Sequence, residues 1–430
     1  MGDKTSKIIS VIKKDGIGVA AKKIFRYAGT QAKKHMGLFY KIDFSKRKAE
    51  YEELIDAALS ADYDRILIWR SSFGWNVPLF QRPQHISMNL AKKRCLVFYE
   101  VTSMTDKTKA IEKYSDNLYL VNFNNACISK LLFSKLDAAA EKPRYLQFYS
   151  TDWTMSLDYV KSFIGKGYKI LYEYIDELSP SLAGTKELPV NIAEKYEHAM
   201  TDTENVYMVV TADLLYEDAV SHRGTKNLIM SPNGVDYDFF KDLSEPPEFD
   251  EDFKKVLKGS KTLVGYYGAM AAWLDYELIK KINSTGEFTV VLFGIRYDDS
   301  LDSSGILELE NVKFLGPRDY KVLKYYADKI DILTIPFVIN DITKATSPLK
   351  LFEYMALGKP IVTSAMRECA KYETPLVANS HDEFIEMLRQ AKGLSGDGGY
   401  LAALDREARE NSWALRADAI IDLLERAEKE

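Results

Sequence analysis

The sequence predicts an α/β protein built on two parallel sheets, and three observations carry that prediction. From residue 64 onward, short β-branched or aromatic runs alternate with helical patterns, the arrangement in which each strand is followed by a crossover helix. The alternation breaks once, at Asp242 to Lys258 (DLSEPPEFDEDFKKVLK), an acidic, proline-bearing stretch without a strand pattern that reads as a linker. At 430 residues, 46% of them hydrophobic, the chain can bury two separate cores.

Residues 1–60 form a basic amphipathic extension. A first Rossmann-like domain over 61–245 takes strands at Arg65 to Arg70, Arg94 to Val101, Asn117 to Val121, Arg144 to Tyr149, Tyr168 to Tyr174, Val206 to Val210 and Asn227 to Met230. A second over 246–405 takes strands at Thr262 to Tyr267, Thr289 to Phe293, Val312 to Leu315, Ile330 to Ile335 and Pro360 to Thr363. The tail from Ala403 reads as one helix with a stripe of Trp413, Leu415, Ala419, Ile420, Leu423 and Leu424, and 406–430 is expected to cross back to the first domain. No internal repeat or low-complexity tract interrupts this order.

Charge is distributed unevenly. Through Lys48, thirteen Lys and Arg face only Asp3, Asp15 and Asp43, a net of +10, within an overall charge of −5. Such local basicity argues against a general nucleic-acid binder and for one segment that meets an anionic surface. From Ile17 onward, Ala21, Ile24 and Ala28 recur at helical spacing among Lys22, Lys23, Arg26, Lys33 and Lys34, a pattern suited either to an anionic membrane through residues 1–48 or to a solvated helix packed on the first domain. No run reaches the roughly 18 apolar residues that span a bilayer, and no secretion signal is evident, so a cytoplasmic chain is expected, peripheral on the membrane if the extension binds it. Cys95, Cys127 and Cys369 lack metal-type spacing and read as inert thiols.

The most informative segment is IPFVINDITKATSPLKLFEYMALGKPIVT, Ile335 to Thr363. A strand gives way to a polar loop, then to a helix beginning near Ser347-Pro348, with serine as cap and proline at the first helical position. Free amides and the positive dipole end at such a start attract an anion, and Lys350 adds a full charge. Glu353, one turn further, suits the two hydroxyls of a ribose. Gly358 closes the helix.

The run SPLKLFEYMALGKPIV resembles the donor-site motif of retaining glycosyltransferases of the family-four type, which have the GT-B fold: two Rossmann-like domains with parallel sheets facing a central cleft. LLYEYIDELSP (171–181), SPNGVDYDFF (231–240), VGYYGAM (264–270), NVKFLGPRDYKVLKYYADKIDILTIPF (311–337) and QRPQHISMNLA (81–91) are similar too. The resemblance implies that Glu353 holds the nucleoside ribose and that Ser347, Pro348, Leu349 and Lys350 face the diphosphate and sugar, with Asn340 and Thr343 as polar positions of the same loop. There are two departures. Ala345 stands where many members carry another glutamate, and Tyr266 to Leu274 lacks their Arg and Lys, which leaves Lys350, Arg296 and Arg318 as candidates to neutralise the diphosphate. Arg296 and Arg318 read equally well as solvated surface residues.

In the first domain, Gly74 follows a strand end and lets backbone approach a ligand at the carboxyl edge of the sheet. Arg82 and His85 are acceptor-side candidates, or else a helix-surface arginine and a packed histidine. Asp176, just past another strand, is an acceptor-site candidate or a helix cap. Together with Lys350 and Glu353 it makes up the expected catalytic set.

Gly16 to Ala21 mimics a dinucleotide fingerprint, but Lys13-Lys14-Asp15 separates it from the apolar run before it. Asp62-Tyr63-Asp64 and Asp236-Tyr237-Asp238 mimic a metal-binding DxD in the wrong contexts. No cofactor and no obligatory metal are expected. The implied activity is sugar transfer from a nucleoside diphosphate donor to a hydroxyl on a glycan or lipid-linked acceptor, in surface polysaccharide or glycolipid assembly. An epimerase or hydrolase on the same fold, and a non-catalytic nucleotide-sugar-binding partner, are the alternatives.

Overall fold

A computed structural model describes residues 17–71, 73–77, 80–101, 106–139, 141–178 and 187–429, with side chains described from residue 36 onward save Ile342, Ala427 and Lys429. The first sheet has eight strands: β1 (Arg65–Trp69), β2 (Cys95–Glu100), β3 (Ile111–Ser115), β4 (Leu118–Val121), β5 (Arg144–Tyr149), β6 (Lys169–Tyr174), β7 (Val206–Val210) and β8 (Leu228–Met230). Their order is β3-β4-β2-β1-β5-β6-β7-β8, parallel except for the β3–β4 pair. The second sheet comprises β9 (Thr262–Tyr267), β10 (Phe288–Phe293), β11 (Val312–Phe314), β12 (Ile332–Ile335), β13 (Ile361–Ser364) and β14 (Leu376–Ala378), ordered β11-β10-β9-β12-β13-β14 and wholly parallel. Two parallel sheets with helices on their faces form the predicted α/β architecture.

The central strands are apolar on both faces because both faces are covered. In β1, Ile66 and Ile68 point into one core while Leu67 and Trp69 point into the other, the two-residue period of a strand. The second sheet has a continuous core of its own, which Phe253 joins from a short helix, Glu251–Leu257, inside the stretch read as linker.

Five strands, β2, β4, β6, β8 and β13, begin one residue later than the sequence suggests, and for three of them the backbone shows why. Arg94, Asn117 and Asn227 have φ of 65°, 58° and 51°, the left-handed region, so each ends a turn and its successor opens the strand. The tail is two helices, Gly398–Glu410 and Trp413–Lys429. They part at Asn411-Ser412 because that backbone pairs with Val235: the Val235 amide donates to the Asn411 carbonyl and the Trp413 amide to the Val235 carbonyl, both at 3.0 Å. Within the second of these helices Trp413, Ala417, Ile420, Leu423 and Leu424 share the face that packs on the first sheet, while Leu415 points away from it and stays 47% exposed. Arg65 and Tyr145 fasten the end of that helix through Glu428.

The first helix runs Ile17–Leu59, with non-helical backbone at Arg47. Gly18 lies within it and not in a strand-to-helix turn, which removes the dinucleotide pattern; Gly16 lies outside the described residues. The basic side chains of Lys22 through Lys34 also lie outside the described residues. Asp62 and Asp64 both pair with Arg94, and Asp236 caps the helix Tyr237–Lys241. No described helix is long and apolar enough to cross a membrane.

Candidate functional site

A cavity of about 310 Å³ opens between the carboxyl ends of the two sheets. Its second-domain wall is built from the turn after β9 and the start of the helix Leu349–Leu357, with Tyr266, Tyr267, Gly268, Trp273, Ser347, Leu349, Lys350 and Glu353 facing it. That helix starts one residue later than expected: Pro348, with φ −74° and ψ 113°, is the cap position, and no side chain caps the first turn. Ser347 is engaged elsewhere, its carbonyl accepting from Asn233 Nδ2 at 2.7 Å and its hydroxyl from the Asn233 amide at 3.3 Å. The free amides of the first turn are therefore left for a ligand.

Glu353 is 2% exposed and its Oε2 accepts the Tyr267 hydroxyl proton at 2.7 Å. Desolvation pushes the carboxyl up to about 7, against the opposing pull of the Tyr267 hydrogen bond and the Lys350 charge. Lys350 is half-buried with its ammonium 5.2 Å from the Tyr266 and Phe337 ring centroids. Loss of water pulls it down to about 8, less than it would without Glu353 nearby. Among the described residues no carboxylate lies within ion-pair distance of Lys350, so its charge is held mainly by aromatic faces. Gly268, with φ 147°, leaves it room: a Cβ there would stand 2.7 Å from Tyr266 Oη and 3.2 Å from Lys350 Cε.

The first-domain wall brings Phe73, Phe80, Arg82, Ile175, Asp176 and Thr211 to the cavity. Asp176 is half-buried, makes no hydrogen bond to another described residue, and is pushed up to about 7 by desolvation. Arg82 lines the cavity, 5% exposed, and is largely committed: Nε donates to Glu173 at 2.5 Å and Nη1 to the carbonyls of Ser231 at 3.0 Å and Pro232 at 3.1 Å, while Nη2 has no partner among the described residues.

Other sequence candidates stand outside the cavity. His85 stacks on Trp413 with centroids 5.1 Å apart, its Nε2 lies 3.3 Å from Tyr320 Oη, and burial holds it down at about 3. Gly74, at φ 75°, turns the backbone so that its carbonyl accepts from Gln84 and Tyr99, leaving its neighbour Phe73 to face the cleft. Asn340 and Thr343 cap one another: the Asn340 amide donates to Thr343 Oγ1 at 2.9 Å and the Thr343 amide to Asn340 Oδ1 at 3.0 Å. Arg296 pairs with Asp302. Arg318 pairs with Asp250 at 2.6 Å and edges a small crevice that shares Gly268 and Leu323 with the main cavity.

Ala345 explains the absent glutamate in steric terms. It is 1% exposed and packs within the apolar core of the first sheet, where a larger, charged side chain would have to displace its neighbours and lose its water. Sequence reasoning passed over Tyr267, Trp273, Tyr320 and Asn233. Two tyrosines closing β9 and an asparagine three residues past β8 were the available signals.

Two Rossmann-like lobes whose parallel sheets end at one cleft define the GT-B fold. A glycosyltransferase of Rickettsia africae shares it with a TM-score of 0.62 at 12% identity, covering 86% of this chain and 100% of that one. An Anabaena protein, HepE, solved with UDP and glucose, shares it with a TM-score of 0.53 at 15% identity, covering 84% and 100%. In sequence, residues 264–392 match the family model described as glycosyl transferases group 1. A putative teichuronic acid biosynthesis glycosyltransferase of Bacillus subtilis, TuaH, is 29% identical over 189 residues, 42% of this chain and 46% of that protein. The chain thus matches about half the length of this curated relative.

Proposed function

We propose that the chain transfers a sugar, with retention at the anomeric carbon, from a nucleoside diphosphate donor to a hydroxyl of a surface polysaccharide or glycolipid precursor. One observation carries the reading: the uncapped start of Leu349–Leu357, the Lys350 ammonium and the Glu353 carboxyl all face a single interlobe cavity. Diphosphate oxygens take the free amides and Lys350, and the ribose hydroxyls donate to Glu353, displacing the Tyr267 proton. HepE, a structure with UDP and glucose bound and the same fold, makes UDP the first nucleotide to try.

In this mechanism the acceptor hydroxyl attacks the anomeric carbon as the bond to the diphosphate oxygen breaks, and the departing phosphate oxygen takes the acceptor proton. No side-chain nucleophile is needed. The protein orients the reactants and stabilises charge developing on the leaving group. Asp176, on the opposite wall, accepts a hydrogen bond from the acceptor and orients its hydroxyl. The amides and Lys350 provide the positive character that the diphosphate requires, so turnover is expected to survive chelation of divalent ions.

The basic segment 1–48 adds long-range attraction toward an anionic membrane. A thermal-shift titration with UDP, other nucleoside diphosphates and their sugars tests the donor site, because a ligand that binds only the native state raises its stability. No shift with any of them sinks the reading. Product analysis without acceptor separates transfer from hydrolysis or epimerisation.

A further inference from the structure

Within two turns of the first helix, Met36, Leu38, Phe39 and Ile42 expose large apolar side chains, Leu38 to 58%. Tyr40 between them turns inward, 7% exposed, and its hydroxyl accepts from Asn122 Nδ2 at 3.2 Å. Phe44, on the same side of the break at Arg47, packs against the core of the first sheet, and beyond the break Tyr51, Ile55 and Ala58 are buried in it, so the helix is held to its lobe on both sides of the break. Asn122 directly follows β4. Since β4, β2, β1, β5 and β6 are parallel, that strand end lies on the same edge of the sheet as the β1 and β6 ends that bring Phe73 and Asp176 to the cavity. The loop after β5 exposes Trp153 to 66%.

Four large apolar side chains left in water on a fixed helix are costly for a free surface and ordinary for an interface. The surrounding charge selects the occupant. Lys41 and Lys46 are exposed beside the patch, followed by Arg47 and Lys48, which pair with Glu50 and Glu52, in a segment of net charge +10 through Lys48. Apolar side chains flanked by lysines, whose stems extend over apolar surface while their heads reach anionic groups, suit the boundary between lipid headgroups and acyl chains.

We propose that Leu38, Phe39 and Ile42, which share the outward face of the helix, insert into the headgroup region of an anionic bilayer and hold the cleft mouth at the membrane, so that the acceptor is a saccharide carried on a lipid. The docking stands independently of the transferase reading, and only the acceptor class rests on it.

Flotation of the full chain with phosphatidylcholine vesicles, with and without phosphatidylglycerol, is the test. Binding is expected with the anionic vesicles and is expected to persist in high salt, because inserted apolar area is not screened as charge pairs are. The double variant Leu38→Glu, Ile42→Glu is expected to bind about tenfold or more weakly, with an unchanged melting curve because both side chains are exposed. Wild-type protein that stays with the soluble fraction, a double variant that floats as well as wild type, or self-association in sedimentation that the double variant abolishes would each overturn the docking. Transfer to a membrane-lipid extract that the double variant loses supports the acceptor class, and transfer only to soluble saccharides overturns it. A UDP-induced thermal shift on the same samples reads the donor site separately: without it the transferase reading fails while the flotation result stands.

Discussion

The two walls of the cleft use their polar groups in opposite ways. On the first-domain wall Arg82 spends Nε and Nη1 on Glu173 and two carbonyls, and behind that wall His85 is packed against Trp413 and Gly74 shapes a turn. On the second-domain wall the helix start has no side-chain cap, Lys350 rests on aromatic faces, and Glu353 has one hydroxyl partner. The first wall is polar for the sake of its own fold; the second retains bonding capacity for something that arrives. The exceptions on the first wall are Arg82 Nη2 and Asp176, a carboxyl without a hydrogen-bonding partner among the described residues.

The contrast is most exposed to refutation at Arg82. Replacing it by alanine strands the fully buried Glu173 carboxylate and is expected to cost about 3–5 kcal/mol of stability, read by denaturant unfolding. A variant that kept its stability but lost donor affinity would move Arg82 to the ligand-binding side of the comparison.

Glu353→Gln is expected to do the reverse, weakening donor binding by about 1.5–3 kcal/mol in calorimetry, the scale of a charge-assisted hydrogen bond. Asp176→Asn sharpens the exception: turnover should fall about tenfold, or about 1.4 kcal/mol, with donor affinity unchanged.

The pH dependence follows from two groups. Glu353 is raised in the folded chain from its ordinary 4.5 to about 7, so its proton-linked contribution to stability is full below 4.5 and is lost as pH rises through about 7. A donor that needs the carboxylate should therefore bind about tenfold more weakly for each unit below 7. Above about 8, Lys350 loses its proton and affinity should fall again. Glu353→Gln removes the acid limb of this bell and Lys350→Met the alkaline limb. The smallest effect belongs to Arg296→Ala, an exposed pair outside the cavity whose loss should stay within about 0.5 kcal/mol in both stability and donor affinity.

What the sequence revealed, and what it hid, follows the range of the interactions. The central strands and the helix bearing Glu353 were legible because each is specified by a few neighbouring residues. β3, IEKYS, escaped notice because it is an antiparallel edge strand with four of five residues exposed, and so has no apolar run. β14 is only three residues long. The break at Asn411-Ser412 depends on Val235, far away in the chain, and no helical pattern announces it. In the site, Glu353 stood out from its own helix, while its bond to Tyr267 joins residues 86 positions apart. Arg82 and Arg318 could not be sorted from sequence because their partners, Glu173 and Asp250, lie 91 and 68 positions away.

The chain passes between its lobes twice, and both passages are joined at Val235, where Gly234 comes so close that a Cβ would stand 2.6 Å from the Asn411 carbonyl. Two backbone hydrogen bonds thus tie one passage to the other. Trp413 follows that junction and stacks on His85 within the core of the first lobe, so the returning chain is anchored to that lobe immediately after it is tied to the outgoing passage.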